Sequence, residues 1–402
     1  MVDTAAPLQS VPELRQQLVS RQSGPEVSVE SMTEAGLAAY ADLARRGVFS
    51  PSQSPTWITG WVKNLRPDVI VATLTRDGQP AFSVALEIVR KGPLRIAAFM
   101  SGRHANGNMP PVSAAFANAA TIADIRSVVA AIGRARPDVD VIALERLTAG
   151  IGGVRNPLLL LPHIQSPNLS LAVDLTGGFE ALLGRASGKR KRKKHRSQMR
   201  KFEAAGGFRR IEAKTEAEAN ALLDAFFAMK EVRFRKAGIA NVFAEPEVQA
   251  FFRTIFAEAL KEPKPVFVLH GLEVCGKVRA VTGSSRCADR LICEFGAIAD
   301  DDMAFASPGE FLFFDNIEEA CRDGLSVYDF SVGDEPYKRL WCDLEIHQFD
   351  ALVPLSVKGR AYAAAMRGAT RLKTFVKSNR LTWKLVKRFR KKTAARPETA
   401  DD

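Results

Sequence analysis

The stretch "PVFVLHGLEVCGKVRAVTGSSRCADRLICEFGAI", residues 265–298, contains three short runs rich in β-branched and aromatic residues. Turn-forming residues separate these runs at "GLEVCG" and "RCAD". Because connections this short join antiparallel neighbours, the stretch predicts a three-stranded meander.

Helical segments surround the meander. Apolar periodicity predicts helices over residues 216–236 and 246–261 before it, and over 307–323 after it. The strand "SVYDFSV" follows. The second half of the chain therefore has the order helix, helix, three strands, helix, strand.

The first half repeats this order without repeating the sequence. Helices are predicted over 34–46 and 56–65, and the strands "DVIVATLT", "AFSVALEIV" and "LRIAAFM" come next. The loop "SGRHANGNMPP", a helix over 122–136 and the strand "DVDVIALERL" complete the half. Two halves with one element order predict two α+β lobes, joined around residues 171–206.

The positive charge of the chain is confined to two segments. The 402 residues carry 57 Lys and Arg against 45 Asp and Glu. Residues 187–201 hold nine cations and no acid, and residues 356–396 hold fourteen and no acid. With these 23 removed, 34 basic residues face 45 acidic ones, so the body is acidic. A dedicated nucleic-acid binder usually spreads a basic face over its folded domain, so nucleic acid is not the partner that we expect.

The cysteines and the lengths of the apolar runs limit the class of protein further. The five cysteines form no CxxC pair, which argues against a zinc site or a disulfide framework, and no metal is predicted. The start "MVDTAAPLQSVPELRQQ" has no apolar core typical of a signal peptide, and no apolar run reaches the ~18 residues of a membrane-spanning helix. We therefore expect a cytoplasmic protein.

Several segments resemble a known family. The element order is that of the GNAT acyltransferase core, and "KRKRKKHRSQMRKFEAAGG", "MKEVRFRKAG", "ASPGEFLFFDNIEEACRDG" and "YDFSVGDEPYKRLW" are similar to the CelD-type GNAT family found with bacterial cellulose and exopolysaccharide genes. That family is similar to the FemAB peptidoglycan aminoacyltransferases, which pair two GNAT-like lobes. The first half matches more weakly, through "FSPSQSPTWITGWVKN".

The resemblance implies a fold and a domain plan. The fold class is α+β, with two tandem GNAT-like lobes that each have a mixed, mainly antiparallel sheet flanked by helices. We expect a flexible N-terminus (1–30), a first lobe (31–165), a GNAT acetyltransferase lobe (171–357) with a basic linker helix (187–206), and a basic C-terminal helix and tail (358–402).

The helix start in "ASPGEF" is the predicted acyl-CoA site. Ser307, Pro308 and Glu310 form an S-x-x-E capping box, which is a purely structural interpretation. A helix start also offers free N–H groups to a pyrophosphate, and Gly309 leaves room for it. The resemblance places coenzyme A here, so residues Ser307, Pro308, Gly309, Glu310 and Phe311 are the candidate cofactor-binding set, with acetyl-CoA as cosubstrate.

The segment "DFSVGDEPYKRLW" is the predicted catalytic region. Asp329 alternates with apolar neighbours along a strand, and Tyr337 and Lys338 follow the turn. The resemblance puts this segment beside the acyl-transfer cleft. Acyl transfer needs a proton acceptor, a proton donor for the leaving thiolate, and stabilisation of the oxyanion. We assign these roles to Asp329, Tyr337 and Lys338 respectively, with binding of a substrate phosphate as the other role open to Lys338.

The C-terminal segment interleaves apolar residues with cations. Residues 371–392 are therefore predicted either to lie on the anionic inner membrane or to pack on the body with a solvated cationic face. Both interpretations stay open on the sequence.

The leading hypothesis is an acyl-CoA-dependent transferase that acts directly on an amine or hydroxyl. Its acceptor would be a small molecule or glycan connected with exopolysaccharide, cellulose biosynthesis or the cell envelope. One alternative is FemAB-like transfer from an aminoacyl-tRNA, and another is a non-catalytic binding protein with the GNAT fold.

Overall fold

A computed structural model describes residues 26–185 and 187–378 of the chain. Twelve strands form one sheet in the order β1-β2-β3-β4-β5-β14-β8-β13-β12-β11-β10-β9, and β6 and β7 pair separately. The strands are β1 (Glu26–Ser31), β2 (Val69–Arg76), β3 (Gln79–Lys91), β4 (Leu94–Phe99), β5 (Val141–Thr148), β6 (Gly150–Ile151), β7 (Val154–Arg155), β8 (His163–Asp174), β9 (Phe208–Glu212), β10 (Phe267–Val274), β11 (Lys277–Cys287), β12 (Arg290–Ile298), β13 (Val327–Val332) and β14 (Leu344–Pro354).

Helices flank both faces of the sheet. They are α1 (Glu34–Arg46), α2 (Pro55–Leu65), α3 (Ala114–Ala119), α4 (Ile122–Ala135), α5 (Gly178–Arg185), α6 (Gly188–Ala204), α7 (Glu216–Ala237), α8 (Pro246–Ala259), α9 (Pro308–Arg322), α10 (Pro336–Arg339) and α11 (Val357–Ser378). The predicted helices of both halves agree with these bounds to within two residues.

The repeated element order is present in the structure. In each half an antiparallel meander, β2-β3-β4 or β10-β11-β12, is followed by a strand that pairs in parallel with the last meander strand. These parallel pairs are β4 with β5 and β12 with β13. The predicted fold class, two tandem GNAT-like α+β lobes, is confirmed.

The two halves share a single sheet because one strand crosses over. Strand β14 comes from the second half, yet it pairs with β5 of the first half on one side and with β8 on the other. Strand β8 in turn pairs with β13. Since β8 spans residues 163–174, it runs across the predicted boundary between the lobes. The predicted lobe limits therefore stay predictions.

Helix α2 of the first half packs on helix α8 of the second half, which also joins the two halves. Trp57 and Trp61 meet Phe251 edge to face, with ring centroids 4.9 and 5.0 Å apart. Gly60 lies on α2 between the two tryptophans in sequence, and a Cβ at this position would lie 2.9 Å from the Ile255 side chain of α8. The missing side chain lets the helices approach closely enough for aromatic pairs worth about 0.5–1.5 kcal/mol each.

The ends of the chain require one correction. The sequence predicts a flexible N-terminus over residues 1–30, but Glu26–Ser31 form β1 and pair with β2. The rest of that segment, and residues 379–392 of the predicted membrane-contacting helix, lie outside the described residues. Within the described ranges, no helix combines the length and apolar character needed to span a membrane.

Candidate active site

A gap between two parallel strands is the central feature of the second lobe. Strands β12 and β13 pair only at Arg290–Ile292 with Val327–Asp329, and beyond these residues they separate. On its other side, β12 pairs with β11 through a β-bulge, where Cys293 and Phe295 face consecutive residues of β11. Glu294 is the extra residue of this bulge, and bulges re-aim side chains in this way.

Two cavities meet at the gap. The first, which we name the large cleft, has a volume of about 620 Å³, and the second, the small pocket, has about 290 Å³. Residues 290, 292, 327 and 329 line the small pocket, whereas 293, 295, 330 and 332 line the large cleft. Because side chains alternate along strands, the cavities open on opposite faces of the sheet. Glu294, Ser331 and Asn106 line both.

The Glu294 carboxylate is held by hydrogen bonds from both halves of the chain. The Ser285 hydroxyl donates to Oε1 at 2.5 Å, and the Asn106 side-chain amide donates to Oε2 at 2.7 Å. Burial raises the pKa of Glu294 from 4.5 to about 7, and the Asp329 charge adds to the rise, while both hydrogen bonds oppose it. A carboxyl group with a pKa near neutrality can accept a proton at physiological pH.

A lysine in an aromatic cage faces the same cleft. The Lys230 ammonium lies 5.5, 5.9 and 5.7 Å from the ring centroids of Phe226, Phe234 and Phe243. Burial lowers the pKa of Lys230 from 10.5 to about 8. The pKa values of Glu294 and Lys230 are thus shifted towards 7 from opposite sides, a pattern typical of functional sites.

Asp329 and Tyr337, both predicted to be catalytic, lie at different cavities. Asp329 lines the small pocket, is buried, and accepts a 2.7 Å hydrogen bond from the Ser331 amide. Burial raises the pKa of Asp329. Tyr337 lines the large cleft with its ring stacked on Phe313 at 5.8 Å. Burial raises the pKa of Tyr337, so its hydroxyl is protonated at neutral pH and can donate.

Lys338 is buried near the end of β13, where its ammonium group makes several hydrogen bonds and an ion pair. Nζ donates to the carbonyl oxygens of Ser331, Val332 and Gly333 at 3.3, 3.0 and 3.4 Å, and pairs with Glu335 at 3.0 Å. Ser331 has a φ of 57°, a left-handed conformation that costs energy in a residue other than glycine. Lys338 also lines the large cleft beside Tyr337, and these contacts fit a positioning role for its ammonium group.

The start of α9 differs from the predicted capping box. Ser307 adopts a left-handed conformation with φ 53°, and its side chain makes no capping hydrogen bond. The prediction of an S-x-x-E box is wrong, because the box needs an extended N-cap residue and the Glu310 carboxylate pairs with Lys194 instead. Ser307, Gly309 and Glu310 line the large cleft, whereas Pro308 and Phe311 are not among its lining residues.

Few N–H groups are free at this helix start. Pro308 has none, and the Glu310 amide donates to the Ser307 carbonyl at 3.1 Å. The Gly309 amide remains, but a Cβ on Gly309 would meet the Ile298 side chain at 2.5 Å. Gly309 is therefore needed for close packing against β12, in addition to any contact with a ligand.

The basic helix α6 packs on α9 through one face. The His195 ring stacks on Phe311 and Phe314 and its Nε2 lies 2.7 Å from Asp315. Gln198 donates to the carbonyl oxygens of residues 306 and 307. The remaining face carries exposed cations, namely Lys189, Arg190, Lys193, Arg196, Arg200 and Lys201.

One cluster has the composition of a metal site. Glu212, His270 and Glu319 offer ligand atoms within 4.8 Å of one another. However, Arg210 places its guanidinium on Glu319 at 2.5 Å, and this positive charge occupies the carboxylate that a cation would use. The cluster is better described as an ion-pair network.

The sequence patterns do not identify Glu294 and Asn106, which line both cavities, or Lys230 of the large cleft as functional residues. Alternation predicts Glu294 only as part of the strand "RLICEFGAI", and helical periodicity predicts Lys230 only as part of a helix. A glutamate between apolar residues in a central strand was a usable signal, because charged groups are rarely buried without a role. Asn106 had no comparable signal in the sequence.

The second half of the chain contains a GNAT acyltransferase domain. Residues 189–339 match the family model described as "Acetyltransferase (GNAT) domain". No curated protein matches the chain.

Three solved structures are similar to this chain at low sequence identity. The chain is similar to FemX, with a TM-score of 0.54 and 11% identity over 81% of this chain and 97% of that one. It also matches the C-terminal domain of a putative lysylphosphatidylglycerol synthetase from Agrobacterium fabrum (TM-score 0.48, 13% identity, 84% and 96% coverage). A tandem GNAT protein from the clavulanic acid biosynthesis pathway gives a TM-score of 0.43 with 10% identity, covering 82% of this chain and 99% of that one.

Proposed function

We propose that the protein transfers an acyl group from acyl-CoA, most simply acetyl-CoA, to an amine or hydroxyl acceptor, with Glu294 as general base. The observation that carries this proposal is the position of Glu294, which lines both cavities at the only place where they meet among the described residues. A donor in the large cleft and an acceptor in the small pocket would approach each other there.

The residues at the gap supply the proton transfers that direct acyl transfer requires. Glu294 accepts the proton of the attacking amine or hydroxyl, the new bond forms at the acyl carbon, and the bond to sulfur breaks. Tyr337, which lines the large cleft with a protonated hydroxyl, is suited to donate a proton to the departing thiolate. Asp329 lines the acceptor side, where its charge contributes to the raised pKa of Glu294.

The large cleft fits an acyl-CoA cosubstrate. A coenzyme A thioester supplies an activated acyl group and carries anionic phosphates. Lys230 and Arg233 line the cleft and provide positive charge, and the Gly309 amide adds one donor at the start of α9. Because α9 offers few donors, the side chains of α7 would carry most of the phosphate recognition.

The finer assignment rests on the sequence resemblance. Similarity to CelD-type proteins supports an acceptor connected with exopolysaccharide or the cell envelope. A second candidate, transfer from an aminoacyl-tRNA, is supported by the exposed cations of α6, which could contact an RNA backbone.

Titration and turnover of the full chain test the proposal. We expect micromolar binding of acetyl-CoA by calorimetry, and about 100-fold slower acetyl transfer in Glu294→Gln with an unchanged Kd for acetyl-CoA. Glu87→Gln is the matched control, since burial also raises the pKa of the Glu87 carboxyl but Glu87 lines neither cavity. Undiminished turnover in Glu294→Gln would refute the base. Transfer only from aminoacyl-tRNA, without acetyl-CoA binding, would favour the second candidate.

A further inference from the structure

The small pocket is lined by buried polar atoms that have no hydrogen-bond partner in the described chain. They are Ser170 Oγ, Thr148 Oγ1, Gln348 Oε1 and Arg290 Nε, of which Arg290 Nε has a long ion-pair contact of 3.8 Å with Asp289. Ser170 and Gln348 are only 2% and 3% exposed. Burying a polar group without a partner destabilises the free protein, so these atoms indicate that the pocket binds a polar ligand.

The mixture of donors and acceptors limits what that ligand can be. Arg290 only donates, the Gln348 carbonyl only accepts, and the hydroxyls of Ser170 and Thr148 do both. A carboxylate or phosphate could not pair with the Gln348 carbonyl, and it would face the carboxyl groups of Asp329 and Glu294 in the same pocket. Hydroxyl groups donate and accept, so a ligand with several hydroxyls satisfies every atom.

The size of the pocket indicates a single ring. Its volume of about 290 Å³ lies at the lower limit of ~300–1,000 Å³ for ligand pockets. Residues from both halves form its walls, including Thr148 beside the β6–β7 hairpin and Arg290 on β12. Glu294, the proposed general base, also lines the small pocket. A nucleophile bound in this pocket can therefore transfer its proton to Glu294.

We infer that the small pocket binds one amino sugar ring, with its hydroxyls on Ser170, Thr148, Gln348 and Arg290 and its amino group facing Glu294. This inference rests on the proposed function, because it takes the small pocket as the acceptor side. The ring could be a free monosaccharide or the terminal unit of a chain, and the two sources share this chemistry.

Binding without acetyl-CoA tests the inference separately from catalysis. Ligand-observed NMR with the full chain would compare D-glucosamine, a glucosamine tetramer and cyclohexylamine, which has the same ring size and amine but no hydroxyls. We expect D-glucosamine, the tetramer or both to bind at least tenfold more tightly than cyclohexylamine. Preference for the free sugar or the tetramer identifies the source.

Two variants probe the unpartnered hydroxyls, and a third provides the control. Ser170→Ala and Thr148→Val should each weaken sugar binding about tenfold while leaving the melting temperature unchanged or higher, because they remove groups that have no partner in the free protein. Ser284→Ala removes another buried hydroxyl without a hydrogen-bond partner, but Ser284 lines neither cavity, so sugar binding should not change.

The possible failures can be distinguished. Equal binding of cyclohexylamine, or no binding of either sugar probe, overturns the inference even when acetyl-CoA binds and the proposed function stands. Loss of binding in Ser284→Ala equal to that in Ser170→Ala overturns it as well. Absence of acetyl-CoA binding instead defeats the proposed function, while sugar binding with the expected variant pattern would still support an amino sugar site.

Discussion

Asn106 of the first half donates its side-chain amide to both the carbonyl oxygen and the carboxylate of Glu294 in the second half, at 2.8 and 2.7 Å. The two residues are 188 positions apart in the chain. The proposed base of one lobe is therefore held in place by a loop of the other. Because this hydrogen bond favours the charged carboxylate, it also lowers the Glu294 pKa against the effect of burial.

Replacing Asn106 should move the pH dependence of catalysis. In Asn106→Ala the carboxylate loses a donor, so its pKa should rise above about 7 and the acidic limb of kcat/KM should shift to higher pH. Asp329→Asn removes a nearby negative charge and should shift the limb to lower pH. Profiles of both variants with one acceptor would check this, and shifts in the same direction would contradict the assignment of the limb to Glu294.

Glu294 should also make stability depend on pH. Its pKa is higher in the folded chain than the ordinary 4.5, so the folded state binds more protons. The stability from this group is fully present below pH 4.5 and is lost as pH rises through about 7, by on the order of 3 kcal/mol.

In Glu294→Gln this loss disappears. The free energy of unfolding of the variant relative to wild type, measured by urea titration, should increase between pH 5 and pH 8. A relative stability that does not change with pH would show that the Glu294 pKa is not raised.

Tyr337→Phe separates catalysis from stability. The Tyr337 side chain is 41% exposed and stacks on Phe313 through its ring, which phenylalanine retains. We expect about 100-fold lower kcat if the hydroxyl protonates the leaving thiolate, with no change in the urea midpoint. An aryl thioester donor, whose leaving thiolate is a weaker base, should reduce the defect. A kcat equal to that of the wild type would exclude this role.

Lys338→Met, in contrast to Tyr337→Phe, should reduce stability. It removes the ammonium group from the carbonyl oxygens of residues 331–333, which include the left-handed Ser331. Hydrogen bonds to a charged group contribute about 1.5–3 kcal/mol, so we expect the free energy of unfolding to fall by about that much. Retained stability together with lost turnover would instead indicate direct contact of Lys338 with substrate.

Gly309 should be coupled energetically to Ile298. A Cβ at position 309 would approach the Ile298 side chain to 2.5 Å, and because Ile298 is 48% exposed and can shift, Gly309→Ala should destabilise the protein by only about 1 kcal/mol. Ile298→Ala is expected to relieve most of this loss in the double variant. Additive effects in a double-mutant cycle would mean that the two residues do not touch.

Residues close together in the chain decided what could be predicted from the sequence. The meander 265–298, its counterpart in the first half and the helices α7 and α8 were predicted within a few residues, because alternation and helical periodicity are local properties. The capping box at Ser307 failed although it is local, since packing of α6 on α9 gives Lys194 as the partner of Glu310.

The candidate site also contains features that local sequence patterns predict and features that they do not. The sequence by itself determined two lobes with one element order, a basic helix before the second lobe, and Asp329 and Tyr337 as polar residues at cavities. Only the tertiary structure decided that Glu294 lies on a bulge, that Lys230 is caged by three aromatic rings, and that Asn106 reaches Glu294. These relationships depend on strand order and on the pairing of residues far apart in the chain, which no periodicity within one element records.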